Sequence, residues 1–349
     1  MNKKTLINIG VLVIGILILI SLILFFSLYL PIDYEKSEKI FLIEKGEEIK
    51  EIADKLKREG LIRNKFAFLF YLILTDKYKK FQAGYYSFLG SMNAFEIVEK
   101  ISRGEVIKKR ITIIEGWNLR DIGSYFKNLG IVMTEKEFWE KITGYPPYME
   151  YLSTPSKDFS QEFGFLKEKP KNLTLEGFLF PDTYEIYKFG EDLETIIKKM
   201  LKNFNQKLTL DLQIEIKRQD KTIFEIITMA SLLEKEVVIF EDKKIVAGIL
   251  WKRLKNNMPL QVDATITYLT GKKTTKISIK ETQIDSPYNT YRYKGLPLGP
   301  ICNPGLESIL AAIYPQESFY WYYLSTPERK TIFSQTFKEH LLAKKRYLK

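Results

Sequence analysis

Cysteine and histidine each occur once in the 349 residues, as Cys302 and His340. A lone cysteine cannot close an intramolecular disulfide, and the pair falls short of a Cys/His zinc site. A cysteine nucleophile would have to use these two residues alone, with no supporting signature around either. Acidic charge is in the minority, 43 Asp and Glu against 54 Lys and Arg, and the net charge of +11 favours acidic partners such as nucleic acid, anionic lipid or a carboxylate-bearing polymer. Nucleic-acid-binding motifs are missing. Gly271-Lys272-Lys273-Thr274 lacks the earlier glycine and the hydroxyl of a phosphate loop, because Ile266 and Lys273 stand at those positions. Nothing in the composition calls for a metal or an organic cofactor.

What the chain does contain begins with an apolar run. Lys3 and Lys4 precede 25 uncharged residues, 6–30, before Pro31 and Asp33. That length spans a bilayer and exceeds the apolar region of a signal peptide, and the exit SLYLPIDY offers no cleavage site. Residues 6–30 therefore read as an uncleaved transmembrane anchor. The lysines place residues 1–5 in the cytoplasm and everything after Pro31 outside. An outside location removes nucleic acid from the partners.

The remainder is 45% apolar and 28% charged over the whole chain, and reads as folded α+β domains. Residues 39–110 form a small α/β module, with strands over 40–43 and 83–88, a helix from 49 to 60 and a second over 65–75 that is apolar nearly all round. Asn93 with Glu96, and Asn118 with Asp121, have the spacing of helix-capping pairs. A larger mixed α+β domain occupies 111–349, with an aperiodic lobe inserted at about 133–170. Residues 175–184 crowd Glu176, Asp182 and aromatic side chains into one turn, a composition suited to a saccharide cleft. Helices are predicted over 193–205, 211–218, 242–254 and 306–313, and a strand over 320–324. Residues 260–265 alternate, so that Gln261 and Asp263 leave a strand on its polar face. The loops 285–291 and 295–305, rich in turn formers and side-chain amides, read as the walls of a groove.

The centre of the domain is 223–238. At 100° per residue, Ile223, Ile226, Ile227, Ala230, Leu233, Val237 and Val238 share one arc, with Glu225, Thr228, Lys235 and Glu236 opposite. Glu234 falls in line with Ala230, Ile227 and Ile223. A carboxylate among apolar neighbours loses hydration in its ionised form, which favours the protonated carboxyl that a general acid needs.

Glu115-Gly116-Trp117, residues 175–184, Ala230 to Glu236, and the segments 260–265, 287–291 and 295–305 follow in an order that resembles the endolytic murein transglycosylases of the MltG/YceG-like family. Ile43, Gly46, Glu47, Ile49, Ile52, Ala53 and Leu56 resemble the first half of a LysM domain. The resemblance implies a membrane-anchored lyase of the bacterial cell membrane that cuts nascent peptidoglycan strands between N-acetylmuramic acid and N-acetylglucosamine, leaving 1,6-anhydro ends. Its catalytic glutamate falls on Glu234. Gln261, Asp263, Tyr288, Asn289 and Asn303, with Glu176 and Asp182, are expected to bind substrate, and cell-wall synthases enter as candidate partners. Leu298 and Cys302 depart from the family pattern in loop detail. A two-carboxylate peptidoglycan hydrolase, with Glu236 a poor second carboxylate because it points to the other helix face, and a non-catalytic glycan-binding scaffold are the alternatives.

Overall fold

A computed structural model describes residues 3–33, 37–140, 144, 157–187, 191–272 and 277–348. The chain divides into two compact units, Met1–Arg110 with Glu185–Glu191, and Ile111–Tyr184 with Asp192–Lys349.

The first unit begins with α1 (Lys3–Tyr29). Its segment Ile9–Tyr29 is 21 residues long with a mean hydropathy of 3.2, long and apolar enough to cross a membrane. There follow β1 (Glu38–Ile43), α2 (Ile49–Arg58), α3 (Lys65–Thr75), β2 (Gly84–Leu89) and α4 (Ala94–Ser102). The two strands pair antiparallel, from Glu38 opposite Leu89 to Ile43 opposite Gly84. Alternation along the ladder turns Phe41, Ile43, Tyr86 and Phe88 inward, where Ile52 and Leu56 of α2, Phe68 and Leu72 of α3 and Ile97 and Ile101 of α4 complete a core. Leu28, in the last turn of α1, belongs to that core. Asn93 and Glu96 form the capping box that starts α4.

Between the core strands and the second unit, β3 (Lys108–Thr112) pairs with β4 (Thr183–Tyr187). The second unit continues with α5 (Leu119–Asn128), α6 (Glu135–Phe138), α7 (Leu193–Lys207), α8 (Leu210–Arg218), α9 (Ile223–Glu236), α10 (Phe240–Lys255), α11 (Asp263–Thr270), α12 (Leu306–Ile313), the hairpin β5 (Tyr322–Ser325) and β6 (Thr331–Ser334), and α13 (Phe337–Tyr347). The structure is thus mixed α+β. Most of the lobe expected at 133–170 lies outside the described residues, which retain α6 and 157–170 of it.

Helix α9 is the spine of this unit. Thr222 and Glu225 cap it reciprocally, and every residue from 226 to 233 is buried. The two-faced helix expected from periodicity is corrected here, because α8, α10, α11 and α12 all contact α9. Thr228, placed on the outer arc, is buried, and its hydroxyl is satisfied by the Phe224 carbonyl at 2.8 Å. The helix stops at Glu236, so Val238 leaves the apolar arc and is exposed. The strand expected over 260–265 is also corrected. Gln261 adopts a left-handed backbone (φ 53°) and Asp263 opens α11.

Candidate active site

The last turn of α9 delivers Glu234 to a place where two other helices meet. Gly305, the N-cap of α12, donates its N–H to Glu234 Oε2 at 3.0 Å, and Ser308 Oγ donates to the same oxygen at 2.6 Å. Lys243 Nζ of α10 stands 3.5 Å away, with its side chain 5% exposed and that of Glu234 10%. The apolar surroundings expected for Glu234 are therefore only half of its environment. Oε2 is held by a helix N-terminus, a hydroxyl and an ammonium. Among the described residues, Oε1 accepts no hydrogen bond.

Glu115 approaches the same glycine. A Cβ added at Gly305 would lie 2.1 Å from Glu115 Oε1, so this carboxyl and Glu234 flank one backbone position. Partial burial raises the Glu115 carboxyl above the usual carboxylate range, and the charge of Glu234 raises it further, while Lys243 works against both. Sequence reading placed Glu115 in a motif without giving it a role. Its separation from Glu234 by 119 positions left no local signal.

Asn303 ties three motifs together. Its N–H and Nδ2 both donate to the Trp117 carbonyl, at 2.8 and 2.9 Å, its carbonyl receives Gly116 N at 2.9 Å, and its Oδ1 receives Leu179 N at 2.9 Å. Nδ2 also reaches Glu176 Oε1 at 3.3 Å. Ser231 anchors the same loop to α9, since its hydroxyl accepts Ile301 N at 3.0 Å and its carbonyl accepts the Cys302 thiol. Burial pushes that thiol well above its ordinary range, unsuited to nucleophilic attack.

Of the seven residues expected to bind substrate, four lie in the interior. Glu176 is 2% exposed, and its oxygens accept Leu119 N at 3.1 and 3.2 Å and Tyr268 Oη at 3.1 Å. Loss of hydration pushes its carboxyl up to about 8, against the opposing pull of the Leu119 bond. Tyr288 is buried against Tyr268, with ring centroids 5.4 Å apart. Asn289 is buried and donates to the Thr282 and Ile284 carbonyls at 3.0 and 2.7 Å. With Asn303 fully buried as well, the expectation for these four is corrected: their polar atoms hold loops rather than face solvent, because partners distant in sequence consume them.

Asp182, Gln261 and Asp263 are exposed. Asp182 accepts Asn203 Nδ2 at 2.9 Å. Asp263 accepts the Tyr291 hydroxyl and lies beside Glu236, whose carboxyl is pushed up to about 7 by lost hydration and then by the charge of Asp263. Glu236 itself receives Ala264 N at 3.4 Å and Tyr323 Oη at 3.2 Å. The last turn of α9 thus sends one glutamate to α10 and α12 and another to α11 and β5. Sequence reading found the first of these environments and missed the second.

The YceG-like family model matches residues 41–346 of this chain. An endolytic murein transglycosylase of Bacillus subtilis (strain 168) is 32% identical over 328 residues, covering 92% of this chain and 88% of the relative. A protein of the same description from Streptococcus pneumoniae (strain ATCC BAA-255 / R6) is 32% identical over 341 residues, 89% of this chain and 59% of its own length. A crystal structure of a YceG-like protein from Listeria monocytogenes is 29% identical with a TM-score of 0.57, covering 88% of this chain and all of the other.

Proposed function

The chain belongs to the YceG-like family, and from that premise we infer that it is a lyase, a lytic transglycosylase that cuts peptidoglycan glycan strands internally. The observation that carries Glu234 as its acid and base is the asymmetry of its carboxyl: Oε2 is bound by Gly305, Ser308 and Lys243, and Oε1 is left for substrate. Protonated Glu234 gives its proton to the oxygen joining N-acetylmuramic acid to N-acetylglucosamine. The carboxylate so formed takes the proton of the muramic C6 hydroxyl as that oxygen attacks C1. One C–O bond breaks and another forms, the product ends in a 1,6-anhydro sugar, and no water is consumed. Gln261 and Asp263, exposed at the start of α11, are the proposed contacts to sugar hydroxyls, with Asp182 a further candidate.

Residues 6–30 are proposed as the membrane anchor, with both units outside the cytoplasm, supported by the apolar span Ile9–Tyr29 and the lysines before it. The strand–helix–helix–strand order of β1, α2, α3 and β2 supports a LysM-like module. Nascent strands as substrate make cell-wall synthases the proposed partners.

Glu115 favours one second reading, a hydrolase with two carboxylates. Mass spectrometry of glycan strands digested by the full chain in detergent separates the two. The lyase leaves anhydro-muramyl ends and Glu234→Gln leaves none, whereas reducing ends from the native chain would replace the lyase by the hydrolase.

A further inference from the structure

Helix α3 carries an apolar face that no protein group covers. Phe66, Phe70, Ile73 and Leu74, spaced i, i+4, i+7 and i+8 along one side, are 71, 54, 68 and 69% exposed. The opposite side, Ala67, Phe68 and Leu72, is fully buried in the core of the first unit. Polar residues would be expected on such an outer face of a helix bathed in water.

Its position relative to α1 says what covers it. Twenty-one residues at 1.5 Å each make Ile9–Tyr29 about 31 Å long, which matches the ~30 Å hydrocarbon thickness of a bilayer. Tyr29 then marks the interface where α1 leaves the membrane, and Leu24 and Leu28 lie just inside it. Both of these leucines pack on the core that α3 helps to form, and α3 contacts α1 directly. Arg63, two residues before α3, fastens the exit by donating to the Leu30 and Pro31 carbonyls at 3.4 and 2.5 Å. Between positions 63 and 80 there are five basic residues, Arg63, Lys65, Lys77, Lys79 and Lys80, against the single acid Asp76. Lys79 and Lys80 are exposed at the end of the helix. An apolar helical face bordered by lysines and held at the end of a span fits an anionic lipid surface.

We propose that α3 is an interfacial membrane helix, with Phe66, Phe70, Ile73 and Leu74 inserted among the acyl chains of the leaflet where α1 ends. The inference rests on α1 being a membrane anchor. It seats the first unit on the bilayer and confines the enzyme to strands close to the membrane.

The test uses the full chain in vesicles of equal parts phosphatidylglycerol and phosphatidylethanolamine. A fluorophore is attached at Ile73→Cys, in the span at Ile16→Cys, or at the exposed Lys50→Cys; the native Cys302 is buried and stays unlabelled. At position 73, lipid-borne spin labels should quench several-fold more than at 50, and aqueous iodide several-fold less. If the label at 16 is in lipid while that at 73 is as open to iodide as at 50, the inference is overturned and the anchor stands. If neither 16 nor 73 meets lipid, the anchor fails and takes the inference with it. Protection of 73 from both quenchers would assign the face to a protein partner and overturn the lipid assignment.

Discussion

Gly305 N–H donates to Glu234 Oε2 over 3.0 Å, joining the N-terminus of α12 to the last turn of α9. The bond fixes the carboxyl plane and, with Ser308, leaves Oε1 as the outward oxygen. A hydrogen bond to a charged group contributes roughly 1.5–3 kcal/mol. Ser308→Ala should therefore lower kcat about 10- to 100-fold with little change in KM, measured by release of anhydro-muramyl ends. An unchanged kcat would remove Ser308 from the positioning of Glu234.

The glycine itself is testable. A methyl group at 305 would meet the Glu115 carboxyl at 2.1 Å, and that carboxyl is the free end of a flexible, exposed side chain. Gly305→Ala should fold with Tm within a few degrees of the native chain, yet displace Glu115. Glu115→Gln should act on the same quantity, because an ionised Glu115 beside Glu234 favours a protonated neighbour. Both variants should move the alkaline limb of the activity profile to lower pH. A profile that stays in place would leave Glu115 outside the reaction.

Stability should fall as pH rises. The Glu176 and Glu236 carboxyls sit at about 8 and about 7 in the folded chain, above the 4.5 of an ordinary glutamate. Between about 4.5 and 8 the folded state holds protons that the unfolded chain releases, so the slope of unfolding free energy with pH is negative there. Thermal melts from pH 5 to pH 8 should show Tm decreasing, and Glu176→Gln should flatten the decline in its upper part.

Asn303→Ala would strip partners from Trp117 O, Leu179 N and Glu176 at once. Unpaired buried groups cost about 1–3 kcal/mol each, with neighbouring losses not fully additive, so a destabilisation of roughly 2–5 kcal/mol is expected. Urea unfolding of the detergent-solubilised chain measures it. A loss under 1 kcal/mol would mean that the three motifs hold together without Asn303.

Much of the fold follows from short-range signals that any stretch of chain carries with it. The uncharged run 6–30, the capping pairs Asn93–Glu96 and Asn118–Asp121, and the bounds of α3 and α12 depend on neighbours within one or two turns, and these were legible. Periodicity also singled out Glu234, because a carboxylate on an apolar arc is a local anomaly. It misjudged 260–265, where alternation over six residues suits a strand but Thr290 takes the backbone N–H groups of Gln261 and Val262, and Asp263 begins a helix. The sequence by itself thus determined the span, most of the helices and one glutamate. Only the tertiary structure decided that Glu115 stands beside Gly305, that Glu236 joins Asp263, and that Glu176, Tyr288, Asn289 and Asn303 turn inward. Those outcomes depend largely on partners tens to more than a hundred positions away, and no local pattern encodes which distant donor will claim a buried oxygen.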